Sequence, residues 1–481
     1  MTLLYIEAEI KRAVKKIVAC DTDTYKNNSE ISQLTKEILK KTLNLDTNVD
    51  FRKFERFVLS QGNKKRIVVK YPDLDSAENV LCQCIKQILD KAFHVKYPNR
   101  NKIARELFDV MAAIVKMSDF TIVRFDFKNF FNSISTNYVY EKIIKNKISD
   151  RLEQELIEKF SLETEYAYAG LSTSNVIAEI IALQFDEFLQ KQLWNKGLIF
   201  YERYIDDGII ILNQHYEEKG IVSVLDTAVK EIFRNQSIGL DKKCKTCKTS
   251  LNRKKFSYIA RREIGEHEKM FDFLGYNFTF HSESNGKMNG SLDISVQYGI
   301  TLEKREKYKK RVKKLIREYK NSDDEEKKKL ELLRHQIAAF TRRTVYLTKK
   351  SNTYIWKVKG FISNYGELRD YLETDHVDKA TTTFLKTMVE EAFKEEKMAL
   401  PYFMNHEKNK KAKKEEFCGY NLYDNMKRNR TLLLVQHIGY NAKSLRALCK
   451  QIDILPTDCH KKWRDYDKLV REYLIKVKVG Y

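Results

Sequence analysis

Glycine and proline are scarce in this sequence, which has 16 glycines and 4 prolines in 481 residues. Collagen-like, propeller and turn-dense all-β folds need more of both, so they are disfavoured. Tyr and Phe contribute 27 and 26 residues, and 42% of the chain is hydrophobic. These side chains suffice for a sizeable core. We therefore expect a helix-rich α+β protein of two or three domains, or one large composite enzyme.

Long apolar runs and paired cysteine motifs are also missing. No run approaches the roughly 18 to 20 residues of a membrane-spanning helix. Glu7, Glu9 and Lys11 stand where a signal peptide would be apolar. The eight cysteines include one C-x-x-C pair, Cys244 and Cys247, without the second pair that a structural zinc site needs. We expect a cytoplasmic protein with reduced thiols and no membrane partner.

The charge of the chain is strongly positive. Lys and Arg number 89 against 67 Asp and Glu, which gives a formal net charge of +22. An excess of this size creates a positive surface field that attracts polyanions. Nucleic acid is the first partner that this charge predicts, and an anionic membrane surface is the second.

The middle of the chain has the pattern of a small mixed sheet. Residues 121–127, TIVRFDF, have the composition of a strand, and a period of four over residues 174–194 predicts a helix. Two β-rich runs then flank Asp206, and Asp207-Gly208 is typical of a tight hairpin turn. A second helix and the segments GLDKKCKT and FDFLGYNFTF follow. The order strand, helix, strand, strand, helix, strand is that of a ferredoxin-like sheet.

The region after this sheet is basic and mainly helical. Residues 304–320 combine one apolar face with charged positions elsewhere, which predicts an amphipathic helix. Ser322 and Glu325 form a capping box for a second helix, which should pair with the first in antiparallel orientation. Beyond Thr344 the helical pattern continues less clearly. The basic side chains of the first helix expected to follow a nucleic-acid backbone are Lys310, Lys313 and Arg317.

Asp126, Asp206 and Asp207 are the candidate catalytic residues. Asp126 ends a predicted strand and the other two occupy a turn of the same sheet, so pairing of these strands would bring three carboxylates together. A divalent cation such as Mg²⁺ prefers such oxygen ligands. Two ions roughly 4 Å apart activate an attacking hydroxyl and stabilise the leaving oxygen in phosphoryl transfer. The pattern predicts a nucleotide polymerase, although Asp-Asp-Gly also occurs as turn chemistry alone.

Five segments, in order along the chain, resemble the motifs of reverse transcriptases. FDFKNFFNSI resembles motif A and RYIDD resembles motif C, and these two matches are the most specific. AYAGLSTSNVIAEI, which contains Glu179, is similar to motif B. GLDKKCKT is similar to motif D, and FDFLGY resembles motif E, the primer grip. The resemblance covers roughly Arg66 to Tyr276.

The resemblance implies a role for each matching position. Asp126 and Asp206 hold two Mg²⁺ ions, with Mn²⁺ as an alternative, and Asp207 completes the carboxylate cluster. The backbone carbonyl of Phe127 completes a metal shell, and Phe131 lies beneath the sugar of the incoming nucleotide. The further nucleotide-binding positions are Lys64, Lys65, Arg66, Gly170 and Lys245. The primer-grip positions are Leu274, Gly275 and Tyr276.

Other features of the sequence indicate which group of reverse transcriptases the chain resembles. Upstream of the motifs, Gly62-Asn63 in QGNKKRIVVKYP predicts a basic β-hairpin. Motif B has Tyr168-Ala169 where Pro-Gln is usual, so contacts to template and nucleotide should differ there. The NAxxH pattern of retron enzymes and the endonuclease tail of group II intron maturases are missing. The chain therefore resembles the bacterial abortive-infection and defence-associated reverse transcriptases.

This resemblance implies an α+β right-hand polymerase with a C-terminal α-helical domain. The expected segments are fingers 1–118, a ferredoxin-like palm 119–298, a helical thumb 299–345 and a C-terminal helical domain 346–481. The expected reaction is RNA-directed or template-independent addition of dNTPs in antiviral defence, primed by a 3′-hydroxyl or a protein hydroxyl. The expected partners are a noncoding RNA template, a DNA product, dNTPs and further copies of the chain in a homo-oligomer.

Three alternatives stay open. A noncatalytic nucleic-acid-binding protein with a polymerase fold would be expected to lose its acidic ligands, and this chain retains them. An RNA-directed RNA polymerase shares the metal site but must accept a 2′-hydroxyl, which the bulk of Phe131 opposes. A basic protein bound to a membrane surface would account for the charge but not for the carboxylates.

Overall fold

The computed structural model describes residues 2–18, 28–61, 64–235, 246–265, 268–283, 293–350, 353–404, 420–454 and 464–478. The chain divides into two compact units. The first comprises Met1–Ile103 and Met117–Glu263, and the second comprises Ala104–Lys116 and Ile264–Tyr481. Helices and small sheets occur in both, so the protein is mixed α/β. The division into four segments remains a prediction.

The secondary structure elements are numbered here in chain order. The helices are α1 (Thr2–Val18), α2 (Asn28–Thr42), α3 (Leu45–Asn48), α4 (Ala77–Ala92), α5 (Arg100–Ile114), α6 (Phe130–Ser133), α7 (Thr136–Val139), α8 (Arg151–Thr164), α9 (Ser174–Leu193), α10 (Glu218–Phe233), α11 (Leu302–Lys320), α12 (Glu326–Thr341), α13 (Phe361–Asn364), α14 (Lys379–Glu395), α15 (Leu422–Lys427), α16 (Ala442–Gln451) and α17 (Arg464–Lys476). The strands are β1 (Glu55–Gln61), β2 (Lys64–Lys70), β3 (Thr121–Asp126), β4 (Leu198–Tyr204), β5 (Asp207–Leu212), β6 (Ser257–Ala260), β7 (Lys269–Phe273), β8 (Tyr276–Glu283), β9 (Asp293–Ile300), β10 (Arg343–Lys350), β11 (Thr353–Lys359) and β12 (Thr431–Leu434). Within these residues no helix is both long and apolar enough to cross a lipid bilayer.

Four strands of the first unit form an antiparallel sheet in the order β4-β5-β3-β6. Helix α9 connects the first of these strands in sequence to the second, and α10 connects the third to the fourth. This is the strand order of a ferredoxin-like sheet, in agreement with the sequence pattern. Strand β3 lies at an inner position of the sheet and is buried along its whole length.

Helix α9 belongs to the hydrophobic core of the first unit. The period-four residues on which its prediction rested are all buried; they are Ile177, Ile181, Phe185, Leu189 and Leu193. Val176 and Ile180, which lie on other faces of the helix, are buried as well. The helix is therefore surrounded by protein on several sides, including α10, which packs against it.

The fourth strand of the sheet differs from the prediction. It is β6, a short strand that pairs with β3, whereas the predicted FDFLGYNFTF segment forms the hairpin of β7 and β8 in the second unit. Leu274 and Gly275 have φ of 53° and 82°, which are the backbone angles of a tight hairpin turn. A run that looks continuous and apolar in the sequence is therefore two strands. Most of GLDKKCKT lies outside the described residues.

The basic hairpin is formed by β1 and β2. These strands pair in antiparallel register from Glu55 opposite Lys70 to Gln61 opposite Lys64. The turn residues Gly62 and Asn63 lie outside the described residues. At the base of the hairpin, Lys70 Nζ lies 4.7 Å from the centre of the Phe57 ring.

An aromatic cluster holds the sheet of the second unit together. Strands β7, β8 and β9 form this antiparallel sheet. The ring of Phe108, from α5, stacks on Tyr298 at 4.4 Å and meets Tyr276 and Phe278 edge-on at 5.1 and 5.4 Å. Aromatic pairs of this geometry contribute beyond their buried area. The short segment Ala104–Lys116 therefore belongs to the second unit.

Helix α11 is amphipathic as predicted, but its basic face has an intramolecular partner. Lys309, Lys313 and Arg317 form ion pairs with α14, and their carboxylate partners are Glu391, Glu395 and Glu396. Two of the three side chains expected to follow a nucleic-acid backbone, Lys313 and Arg317, are thus paired within the chain. Lys310 is exposed.

The predicted capping box after α11 is wrong. Helix α12 begins at Glu326 with Glu325 at its N-cap, and no side chain caps it. The Ser322 hydroxyl instead hydrogen-bonds to Asp324 at 2.8 Å. A local serine–carboxylate contact has replaced the bond to the helix backbone.

The region after Thr344 also differs from the predicted continuation of helices. Strands β10 and β11 form an antiparallel hairpin, and β12 adds to β10 in parallel orientation. The sequence of β10, RTVYLTKK, is rich in the β-branched and aromatic residues that favour strands. Helices α16 and α17 pack in the same cluster of buried residues as β12. This region is therefore mixed and not all-helical.

His335 of α12 is fully buried in the second unit. Its two ring nitrogens lie 3.0 Å from the Tyr473 hydroxyl and 3.0 Å from the side-chain oxygen of Gln451. Burial, and then the neighbouring Arg334, lower the pKa of His335 to about 4. The ring therefore stays neutral in the folded protein at pH values where it would be charged in the unfolded chain.

We predict that His335 makes the protein sensitive to acid. Because its folded pKa is lower than its unfolded value of about 6.5, its contribution is fully present above pH 6.5 and is lost as pH falls toward 4. The loss at pH 4 should be about 3 kcal/mol. Urea unfolding of a His335→Gln variant should lack this part of the pH dependence. The exposed His437→Gln variant should keep the wild-type slope, and equal slopes in all three proteins would contradict the assignment.

Candidate active site

The three candidate carboxylates lie at one end of the sheet in the first unit. Antiparallel pairing of β3 with β5 places Asp126 directly opposite Asp207. The backbone N–H of Phe127 donates to the carbonyl of Asp206 at 2.8 Å. The sequence therefore correctly predicted that the strands carrying Asp126 and Asp207 are neighbours in one sheet. Asp126 is buried, and Asp206 and Asp207 are half-buried.

The turn between β4 and β5 lies two residues earlier in the chain than the sequence predicted. Its central residues are Ile205 and Asp206, closed by the pair Tyr204–Asp207. Asp207-Gly208, predicted as the turn, begins strand β5. Ile205 has φ of 62°, which is unusual for a β-branched residue. This turn places Asp206 at the tip and Asp207 in the strand.

Gly208 has a packing role and not a turn role. A Cβ atom at this position would lie 2.2 Å from the ring of Phe125, on the neighbouring strand. That separation is far inside van der Waals contact. A glycine therefore lets β5 lie against the Phe125 ring next to the carboxylates.

Asp126 is held by two side chains that the sequence interpretation missed. Asn252 donates to its Oδ1 at 2.9 Å, and the Lys255 ammonium forms an ion pair with its Oδ2. The backbone N–H of Asn252 also donates to the carbonyl of Asp126 at 2.7 Å. The only local sign of this was the basic run NRKK, and a charge run by itself does not indicate which carboxylate it contacts.

Asp207 is paired with Arg124. Arg124 Nε donates to Asp207 Oδ1 at 2.8 Å, and its Nη1 donates to the carbonyl of Lys255 at 2.8 Å. Burial raises the pKa of Asp207 to about 6; Arg124 opposes this rise, and the charges of Asp126 and Asp206 add to it. The charges of Asp126 and Asp206 thus both act on the Asp207 carboxylate. An arginine inside an otherwise apolar strand was the sequence signal that could have revealed this pair.

The two phenylalanines after β3 have different surroundings. Phe130 is buried and stacks on Phe127 with ring centres 5.1 Å apart. Phe131 is half-buried and its ring lies 5.7 Å from that of Phe130. Phe127 is itself buried. Phe131 is therefore the member of the pair with a surface for a ligand, whereas Phe130 belongs to the core.

Gly170 lies where the motif B segment meets the basic hairpin. Its φ is 116°, and a Cβ atom there would lie 2.0 Å from the carbonyl oxygen of Val69. The neighbouring Ala169 accepts a hydrogen bond from the N–H of Val69 at 2.8 Å. The Arg56 guanidinium lies 5.3 Å from the centre of the Tyr168 ring. Tyr168-Ala169, the unusual pair of motif B, therefore joins this segment to the hairpin.

The side chains of several predicted nucleotide-binding residues lie outside the described part of the chain. Lys64, Lys65 and Arg66 belong to β2, where Arg66 pairs with Leu59, but their side chains lie outside the described part of the chain. Lys245 lies outside the described residues altogether. The roles of these four residues stay predictions.

The primer-grip residues lie in the second unit. Leu274 and Gly275 form the turn between β7 and β8. The side chain of Tyr276 is buried, and its hydroxyl donates to the carbonyl of Asn364 at 3.1 Å. Tyr276 is therefore a core residue of this unit, whereas Leu274 and Gly275 are half-buried.

Known proteins give little information about the family or the activity of this chain. No family model and no curated protein matches the chain. A structure of apo telomerase from Candida tropicalis, truncated from its C-terminal domain, is similar with a TM-score of 0.33 and 13% sequence identity. The similarity covers 51% of this chain and 58% of that chain, so this chain spans less than two thirds of that structure. A likeness of this extent identifies neither a family nor an activity.

We predict that Gly208→Ala destabilises the site. The added methyl would force the Phe125 ring or strand β5 to move, and overpacking of this kind typically costs about 1 to 3 kcal/mol. The control is Gly366→Ala, because a Cβ atom there would meet no heavy atom within 4 Å. Urea unfolding should show a lower free energy of unfolding for Gly208→Ala alone. Equal losses in both variants would mean that Phe125 does not constrain this position.

Proposed function

We propose that the protein is a nucleotide polymerase that adds dNTPs by phosphoryl transfer, of the reverse transcriptase type. The observation that carries this proposal is the meeting of Asp126, Asp206 and Asp207 at one end of a sheet with ferredoxin-like strand order. Carboxylates repel one another, so positive charge must lie nearby, and Arg124 and Lys255 supply part of it. From the resemblance of the surrounding segments to motifs A and C we infer that divalent cations supply the rest.

The donor set fits Mg²⁺. Within the described residues, no group of three or more His, Cys, Asp or Glu side chains is already arranged around a metal position. Instead, Lys255 and Arg124 contact Asp126 and Asp207. The side chain of Lys255 is 42% exposed, so it can move away from Asp126 into water. Asp126 and Asp206 would then hold Mg²⁺, a cation that prefers oxygen ligands such as carboxylates.

Bound Mg²⁺ would supply the charge that activates the attacking hydroxyl and stabilises the leaving pyrophosphate. The chain's own residues set the site for it. Asn252 orients the carboxylate of Asp126 by its hydrogen bond to Oδ1. Arg124 anchors Asp207 and so fixes the start of β5. Lys255, which is partly exposed, would be available to a triphosphate once it left Asp126.

The finer assignment rests on the sequence motifs alone. We propose an RNA-directed or template-independent DNA polymerase of bacterial antiviral defence, acting as a homo-oligomer and primed by a 3′-hydroxyl or a protein hydroxyl. The net charge of +22 supports binding of a noncoding RNA template and a DNA product. The unusual Tyr168-Ala169 pair and its contacts with the hairpin support a divergent member of the group.

A noncatalytic nucleic-acid-binding protein is the second candidate. The observation that favours it is the pairing of two of the three carboxylates with Lys255 and Arg124. If those ion pairs were permanent, the carboxylates would be structural and the chain would bind nucleic acid without extending it. Primer extension by the wild-type protein distinguishes the two candidates directly.

We predict that Asp126→Asn and Asp206→Asn each abolish Mg²⁺-dependent primer extension. Removing a ligand should reduce the rate by at least about a hundredfold, since metal ligands act in the transition state. Thermal melting should stay near that of the wild type for Asp206→Asn. The exposed Asp323→Asn variant is the matched control and should keep full activity. An Asp206→Asn protein that extends primers at the wild-type rate would overturn the metal assignment.

We predict that Phe131 selects deoxyribose. A rigid ring beneath the nucleotide leaves no room for a 2′-hydroxyl, so discrimination arises from a clash with the ribonucleotide. Phe131→Ala should admit ribonucleotides with a modest loss of dNTP incorporation. Phe130→Ala, which changes a buried core residue, should lower the melting temperature without changing sugar preference. An unchanged ratio of dNTP to rNTP incorporation in folded Phe131→Ala would remove this residue from the site.

A further inference from the structure

A buried ionic network joins strand β4 to helix α9, and its residues have no role in the metal site proposed above. Arg203, the residue before the turn-closing Tyr204, is buried with a side-chain exposure of 3%. It forms ion pairs with Glu179 and Asp186 of α9, at 2.8 and 2.9 Å. The Tyr201 hydroxyl also donates to Asp186, at 2.6 Å. Glu179 and Asp186 are seven residues apart and so lie on the same face of the helix, two turns from each other.

Each nitrogen of the Arg203 guanidinium is engaged. Nε and Nη2 donate to Asp186, at 2.9 Å each, and Nη2 also donates to Glu179 at 2.8 Å. Burial by itself lowers the pKa of Arg203, and Asp186 and Glu179 more than offset this, so the pKa lies above its ordinary value. The side chain is therefore charged and fixed in a planar fork between two acceptors.

Nη1 of Arg203 donates to Glu179 at 3.2 Å and also reaches out of the network to the Ile205–Asp206 turn. Nη1 donates to the backbone carbonyl of Ile205 at 2.7 Å. Ile205 is the residue with φ of 62°, and Asp206 follows it. A β-branched residue adopts this backbone conformation only where the surroundings impose it. Among the described residues, Arg203 is the one whose side chain hydrogen-bonds directly to Ile205.

We propose that Arg203 is a positioning residue that holds the Ile205–Asp206 turn in its strained form and thereby aims the Asp206 carboxylate. The effect of Arg203 on catalysis rests on the proposed function, whereas its contact with the turn does not. Helix α9 acts as the fixed base, because its Glu179 and Asp186 hold the guanidinium in two ion pairs. The turn then keeps its shape without help from a bound ion.

A purely stabilising role predicts something different. A buried ion pair of this kind would contribute to stability or fold specificity wherever its partners lay. Its loss would lower stability and activity together, in proportion to the unfolded fraction. A positioning role predicts instead a local change at the turn in a protein that is still folded.

The test compares Arg203→Lys with Tyr201→Phe. Lysine keeps the charge next to Glu179 and Asp186, but its single ammonium cannot span both carboxylates and the Ile205 carbonyl as the fork does. Tyr201→Phe removes a hydrogen bond from the same network without touching the turn. The readouts are thermal melting, hydrogen exchange of the amides of residues 204–208, Mn²⁺ affinity by electron paramagnetic resonance, and Mg²⁺-dependent primer extension.

We expect Arg203→Lys to exchange the amides of residues 204–208 at least tenfold faster, to bind Mn²⁺ about tenfold more weakly, and to lose kcat with little change in KM for dNTP. Tyr201→Phe should stay within twofold of the wild type in all three measurements even where its melting temperature falls. If Arg203→Lys is folded and its turn exchanges at the wild-type rate, the positioning role is wrong. If that exchange accelerates but the wild-type protein neither binds Mn²⁺ nor extends primers, Arg203 holds the turn and it is the proposed polymerase function that fails.

Discussion

The register between β3 and β5 is the constraint on which the candidate site depends. Side chains alternate between the two faces of a strand, so a slip of one residue would move Asp126 to the face opposite Asp207. The register is fixed by buried apolar residues elsewhere on the strands, such as Val123 and its partner Ile210, both of which are fully buried. Ordinary core packing thus determines whether the carboxylates meet.

The electrostatics of the site follow from that register. Burial raises the pKa of Asp207, Arg124 opposes this rise, and the nearby charges of Asp126 and Asp206 add to it. Arg124 and Lys255 supply positive charge from within the chain, one buried and one 42% exposed. The buried partner fixes Asp207, whereas the partner of the buried Asp126 is the more exposed of the two. The site can therefore fold before a ligand arrives.

Sequence reasoning was most successful where periodicity or a strong motif determines structure locally. The period-four residues of α9 and the β-rich runs around Asp206 gave the elements and their order. Sequence reasoning failed where one residue type can serve either of two structural purposes, a turn or close packing. Gly208 resembled a turn glycine but is needed for the close approach of Phe125, so the turn falls at Ile205–Asp206.

The partners of Lys255 and Lys313, which lie far from them in the sequence, could not be predicted. Lys255 lies 129 residues after Asp126, and nothing in the basic run around it indicates which carboxylate it meets. The same holds for Lys313 of α11, whose charge suggested a nucleic-acid partner but which pairs with Glu395 of α14. A charged face on a helix has one appearance in a sequence whether its partner is another helix or a phosphate backbone.

Crystallographic location of Mn²⁺ in the protein with a nonhydrolysable dNTP tests the central claim most directly. The account predicts anomalous scattering peaks next to the carboxylate oxygens of Asp126 and Asp206, about 4 Å apart for two ions, with Lys255 displaced from Asp126. A map without anomalous density at these carboxylates, with Lys255 still bound to Asp126, would contradict it.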